Sequence, residues 1–138
     1  MSNNINPDEF VLALMEATRT MTEEVVEEIE NGLEQIGRDT VKELRRTAPV
    51  FKGNDKNRRY KKGTYRRSWY MDIKKANGVK RVIVYCRYPH SNLTHLLEHG
   101  HLVKNGTGRV LGNAPPIPHI AEAEKHAEEK LDKLLEGL

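Results

Sequence analysis

The chain has 138 residues, 37% of them hydrophobic and 31% charged, and a net charge of +3 at neutral pH. That length suits one domain with a modest core and leaves no room for a two-lobed nucleotide enzyme. The longest apolar run, Phe10–Met15, falls far short of the about 20 residues a membrane-crossing helix needs.

The small net charge conceals a division along the chain. Residues 1–37 hold nine acids and one base, residues 38–89 seventeen bases and four acids, and residues 90–138 five bases and seven acids. Such polarity suits head-to-tail contact between copies, or one basic face against an acidic partner.

The N-terminal stretch MSNNINPDEF has neither a basic start nor an apolar centre, so no secretory leader is expected, and residues 1–7 read as a disordered tail. Residues 8–47 read as helix. Phe10, Leu14, Ala17, Met21, Val25, Ile29, Leu33, Ile36, Val41 and Leu44 fall mostly three or four apart and line one stripe. Asp8 and Glu9 after Pro7 suit a helix start. Thr20 with Glu23 resembles a capping box and marks a break near residues 18–22. Glu23, Glu24, Glu27, Glu28, Glu30 and Glu34 form an acidic face early in the helix, and Lys42, Arg45 and Arg46 close it. That order complements the helix dipole, and Pro49 ends the helix.

Residues 51–63 (FKGNDKNRRYKKG) show no period and read as a basic surface loop. Residues 64–74 and 79–88 read as strands joined by a tight turn at Asn77-Gly78, with Val82, Val84 and Cys86 alternating with Arg81, Ile83, Tyr85 and Arg87. Residues 92–99 suit a short helix stopped by Gly100. Residues 101–114 are glycine-rich and read as a short strand or a flexible arm. Residues 115–118 (PPIP) are extended. Residues 119–136 form a second amphipathic helix through Ile120, Ala123, Ala127, Leu131, Leu134 and Leu135. The expected fold is α+β, a single domain over 1–138, with a long N-terminal helix and a C-terminal helix packed on a small antiparallel β-sheet.

The string His95-Leu96-Leu97-Glu98-His99 matches a zinc-peptidase pattern, since two histidines four apart share a helix face. Only 39 residues follow it, too few for the distant third ligand and the cleft of such an enzyme. Adventitious metal binding by His95, His99 and His101 is a milder alternative. The simplest reading has Leu93, Leu96 and Leu97 docking the helix and the histidines at a surface. The stretch from Lys52 to Arg67 holds eight bases (Lys52, Lys56, Arg58, Arg59, Lys61, Lys62, Arg66 and Arg67) and one acid, with Tyr60 and Tyr65 interleaved. Such residues can neutralise phosphates and stack on bases. Solvation, or contact with an acidic protein surface such as the first helix of a neighbouring copy, is the more economical reading. Trp69, Tyr70 and Cys86 read as sheet and core residues. Cys86 is the sole cysteine, which excludes an internal disulfide and a four-cysteine zinc site and suits synthesis in a reducing compartment. Gly106-Thr107-Gly108-Arg109 lacks the context of a phosphate loop.

Four strings in order add to this: Ala48-Pro49-Val50 at the end of the long helix, Gly63-Thr64-Tyr65-Arg66-Arg67-Ser68 before the hairpin, Leu96-Leu97-Glu98-His99-Gly100 after it, and Pro115-Pro116-Ile117-Pro118-His119-Ile120 leading into the last helix. Over roughly residues 20–135 the chain resembles the small tailed-bacteriophage neck or tail-component family. The family markers are Ala48, Pro49, Gly63, Arg67, Ser68, Glu98, Gly100 and Pro118. The departures are the basic insert Phe51–Lys62, His119 where the family has phenylalanine, and His101 where threonine is usual. The resemblance implies a non-enzymatic phage or prophage structural protein at the head–tail junction, a ring of copies joining heads to tails or completing tails. Its implied partners are copies of itself, head-connector proteins and tail-terminator or tail-tube proteins, with non-specific contact to packaged DNA. It implies a place in the virion after synthesis in the host bacterial cytoplasm, with no cofactor, metal or membrane. The alternatives are a nucleic-acid-binding module using residues 52–67 and a small zinc hydrolase at the HLLEH string.

Overall fold

The computed structural model describes residues 9–13, 22–50, 63–76, 78–104 and 109–138. The expected N-terminal tail, most of the basic loop (51–62) and the glycines at 106 and 108 lie outside them.

Helix α1 (Glu23–Thr47) starts where Thr22 accepts the N–H of Val25 on its hydroxyl at 3.3 Å. Glu23 and Glu24 occupy the first turn, Arg45 and Arg46 the last, and both signs complement the helix dipole. The Ala48 N–H still reaches the Leu44 carbonyl at 2.9 Å, and Pro49 prevents continuation. Of the expected stripe, Ile29, Leu33, Ile36 and Leu44 are buried and Val25 and Val41 half-buried, and Gly37 and Thr40 are buried beside them.

Strands β2 (Trp69–Ala76) and β3 (Val79–Cys86) form the expected hairpin, turning at Gly78 with a φ of 76°. The register pairs Trp69 with Cys86, Met71 with Val84 and Ile73 with Val82 on one face, and Tyr70 with Tyr85 on the other. α1 packs on the first of these faces. Gly37 permits the close approach: a methyl group there would stand 2.5 Å from both Met71 Sδ and Val82 Cγ1. Helix α4 (Ile120–Glu136) lies along α1, with Leu134 seated against Gly32. The core joins Ile29, Leu33, Leu44, Tyr65, Trp69, Val82, Val84, Cys86, Ile120, Ala123 and Ala127. None of the helices among the described residues is long and apolar enough to cross a membrane.

Two expectations are corrected. The expected helix over 8–47 is not one element: α1 spans Glu23–Thr47, and Glu9–Ala13 form strand β1, antiparallel to β3 from Glu9 opposite Tyr85 to Ala13 opposite Arg81. Phe-Val-Leu suits a strand as well as a helix, and the unpaired edge of β3 decides the matter by offering a backbone ladder. Residues 14–21, with Thr20 and the break expected near 18–22, lie outside the described residues; the residue that caps α1 is Thr22. The strand expected from 64 is also late. Thr64–Arg67 form one helical turn, α2, entered through Gly63 at a φ of 77°. Ser68 Oγ donates to the Thr64 carbonyl at 2.7 Å and its N–H reaches the Tyr65 carbonyl at 3.1 Å. This turn places Tyr65 fully inside the core, which outweighs local strand preference.

After β3, helix α3 (Ser91–His99) ends at Gly100, whose φ of 75° favours glycine. Strands β4 (His101–Lys104) and β5 (Val110–Ala114) follow as a separate two-stranded sheet, so the segment that read as a short strand or arm is a hairpin.

Candidate functional site

The acidic face expected on α1 divides in two. Glu23, Glu24, Glu27 and Glu28 are exposed and form no ion pair among the described residues. Glu30 and Glu34 turn toward the sheet instead. Lys80 on β3 hydrogen-bonds Glu34 and lies 3.8 Å from Glu30, and Lys75 reaches Glu30 at 4.0 Å. Arg38 adds a 3.3 Å contact to Glu34. The Lys80 hydrogen bond is the main reason the Glu34 carboxyl is held below its usual range. These two carboxylates clamp α1 to the sheet, so the outward acidic surface is the quartet at residues 23–28.

Of the eight basic candidates, Lys52, Lys56, Arg58, Arg59, Lys61 and Lys62 lie outside the described residues. Arg66 is half-buried and donates from Nε to the Ala48 carbonyl, tying α2 to the end of α1. Arg67 is exposed. Arg45 also works inward: its Nε and Nη2 donate to the Trp69 carbonyl at 3.0 and 2.7 Å. Its guanidinium stands 4.9 Å from the Tyr70 ring centre, and that of Arg87 stands 3.5 Å from it. With two guanidinium groups on its ring, Tyr70 is a packing element and offers no clear surface for a nucleic-acid base.

Within the HLLEH string, Glu98 serves the packing of the last helix. Glu98 is buried. Its Oε1 accepts the backbone N–H groups of His119 and Ile120 at 2.8 and 2.9 Å, and its Oε2 that of Ala121 at 2.9 Å. A carboxylate from α3 thus caps α4, whose own leading residue, His119, supplies no side-chain cap. His119 is itself buried. Its Nδ1 lies 2.7 Å from the Ile117 carbonyl and 3.0 Å from Glu98 Oε1, both acceptors, so Nδ1 carries the proton. Nε2 then accepts the Tyr65 hydroxyl at 2.7 Å. Burial keeps the His119 imidazole below its ordinary pKa and raises that of the Tyr65 phenol. Trp69 stands edge-on to both rings, 6.3 and 6.4 Å away. His95 and His99 are exposed with ring centres 4.8 Å apart, while Glu98 is committed inward. Among the described residues no group of three or more histidine, cysteine or acidic side chains is placed to hold a metal.

The family markers occupy joints of this framework. Ala48 is the buried residue after α1, and Gly63 and Ser68 bracket α2. Gly100 closes α3 with its N–H on the Leu96 carbonyl at 2.9 Å. Pro118 leads into the Glu98 cap. The role of Glu98 was not readable as such: the only sequence signal was its place in a marker string, because its partners lie about twenty residues away.

The family model described as "Bacteriophage HK97-gp10, putative tail-component" matches residues 13–100. No curated protein and no solved structure matches the chain.

Proposed function

We propose a place at the head–tail junction for this chain, which belongs to the HK97-gp10-like family of bacteriophage tail components. Membership makes it a structural protein of the virion. The neck position, with a role in joining heads to tails or completing tails, and the arrangement as a ring of copies are our reading. The observation that carries the ring is the division of charge. Four exposed carboxylates at the start of α1, which form no ion pair among the described residues, stand apart from a chain whose middle third is strongly basic. A ring requires a heterologous contact, one patch meeting a different patch on the next copy. In this reading the Glu23–Glu28 surface of one copy meets a basic surface of the next. Lys52, Lys56, Arg58, Arg59, Lys61, Lys62 and Arg67 meet that neighbour or the DNA that threads the ring. The ring's outer partners are head-connector proteins on one side and tail-terminator or tail-tube proteins on the other.

Electron microscopy of a lysate lacking this gene tests the reading. Filled heads lying apart from finished tails support a joining role. Intact infectious particles would remove it.

A further inference from the structure

The three-stranded sheet, ordered β1–β3–β2, leaves β2 as one of its edges. The hairpin sets the phase of that edge. The Arg87 N–H donates to the Ser68 carbonyl at 2.8 Å. In the antiparallel ladder Tyr70, Asp72 and Lys74 therefore turn their backbone groups to β3, and Trp69, Met71, Ile73 and Lys75 turn theirs outward. The Trp69 carbonyl bears this out, since it takes the Arg45 Nε and Nη2 donors at 3.0 and 2.7 Å. Among the described residues no such partner reaches the outward groups of Met71, Ile73 and Lys75.

β2 has no proline, and its register with β3 runs through without a bulge, so two devices that blunt a free edge are missing. Ile73 is 42% exposed although it stands on the face against which α1 packs. Asp72 and Lys74 are exposed on the opposite face and form no ion pair among the described residues. Arg87, whose guanidinium lies on the Tyr70 ring, adds a longer-range attraction to Asp72.

We infer that two copies of this chain pair edge to edge along β2, antiparallel, across a two-fold axis at Ile73. Two separate criteria select this occupant and this register. The register that uses the whole outward run sets Met71 opposite Lys75 of the other copy, Ile73 opposite Ile73, and Lys75 opposite Met71. Every outward N–H and C=O from 71 to 75 then gains a partner. The same register sets Asp72 opposite Lys74 and Lys74 opposite Asp72, at the positions where facing side chains come closest. Centring the pair one residue earlier would set Asp72 against Asp72, and one residue later Lys74 against Lys74. Lys74 alone would guard the edge; Asp72, two positions before it, makes the edge complementary to itself. The contact is isologous and closes at two copies. It shares no residue with the Glu23–Glu28 surface, so it goes beyond the ring reading and stands independently of it.

The test is sedimentation of the full-length protein over a range of concentrations, with circular dichroism to confirm that each variant folds. The wild type should show a reversible dimer. Asp72→Lys and Lys74→Asp each set like charges opposite one another on both sides of the axis and should weaken the dimer about tenfold or more. An equimolar mixture of those two proteins, or the double variant, restores opposite charges and should recover it. Ile73→Pro removes an outward N–H that β3 does not use and should abolish pairing. Ile73→Cys with a short bis-maleimide should give a cross-linked dimer, because Cα atoms at the axis would lie about 5.5 Å apart; the native Cys86 is buried. Where larger species form as well, that cross-link reports the pair directly. A wild type that stays monomeric at every concentration overturns the inference. So does a dimer that the single charge changes leave intact, a mixture that fails to recover it, or an associated protein in which Ile73→Cys does not cross-link.

Discussion

Arg45, in the last turn of α1, turns inward to the Trp69 carbonyl, and Arg66 of α2 meets the Ala48 carbonyl just beyond that turn, whereas Glu23, Glu24, Glu27 and Glu28, at the N-terminal end of α1, are exposed. The same helix thus uses charge in two ways. Inward charges satisfy buried backbone groups that would otherwise be orphaned, and their loss registers as lost stability. Outward carboxylates gain little from their own fold, and their loss registers in what the molecule contacts. Glu98 and the Glu30–Glu34–Lys80 cluster belong to the first kind, although sequence alone grouped Glu30 and Glu34 with the second.

The sharpest test of that division is Glu98→Ala. It leaves three N–H groups at the start of α4 without their acceptor, two of them bonded to one buried oxygen. The expected loss is about 1.5–3 kcal/mol, the range for hydrogen bonds to a charged group, read from the denaturant midpoint with an unchanged slope. Against a domain stability of about 5–15 kcal/mol that is a large fraction. A loss below about 0.5 kcal/mol would mean that α4 is held by its packing on α1 alone.

A smaller effect is expected at Tyr65 and His119. His119→Phe strands the Tyr65 hydroxyl in the core, at a penalty of about 1–3 kcal/mol. Adding Tyr65→Phe removes the stranded group and should recover most of it, so the pair is coupled in a double-mutant cycle. The pH dependence follows from the same geometry. Burial holds His119 below its ordinary 6.5 in the fold, and the unfolded chain keeps the ordinary value. Between those two values the unfolded chain binds the proton and the fold does not, so stability falls as pH drops through 6.5; above 6.5 His119 adds no slope. His90, half-buried beside Thr64, is also held low by burial and adds a slope of the same sign. The Tyr65→Phe/His119→Phe protein should therefore lose part of its acid sensitivity below 6.5 and keep the part due to His90. An unaltered slope would show that His119 is protonated without penalty in the fold.

These groups also mark the limit of what the sequence discloses. The stripe of α1 from Val25 to Leu44, the alternation of β3, the turn at Gly78 and the apolar side of α4 apart from the exposed Leu135 are local patterns, and each was legible. β1 was not, because Phe10, Val11 and Leu12 satisfy helical and strand periods alike; the ladder that decides between them comes from β3, some seventy residues on. α2 is one turn long, below the length at which a period declares itself, and it exists to bury Tyr65. Glu98 sat in a string that resembles a metal site, and only the return of the chain through Ile117 to His119 reveals it as a cap. Helical spacing put Glu30 and Glu34 next to the exposed quartet; Lys80, 46 positions beyond Glu34, draws them to the other class.

The smallest effect on folding, and the largest expected on assembly, comes from reversing the quartet to lysine. Glu23, Glu24, Glu27 and Glu28 are exposed, so each change should move stability by less than about 0.5 kcal/mol. Reversal at Glu23 and Glu24 adds a modest penalty from cations at the positive end of the helix dipole. A melt close to that of the wild type, together with lost self-association, would place the quartet outside the fold's own requirements and inside those of the assembly. The same reversal at Glu30 and Glu34 should behave oppositely, loosening α1 from β3 because it sets like charges against Lys80. If both pairs destabilise the fold equally, the two ends of the acidic face are one structural device, and the outward surface loses its claim as a contact. If neither reversal affects self-association at low salt, where surface charge acts most strongly, the contact between copies is made without this helix.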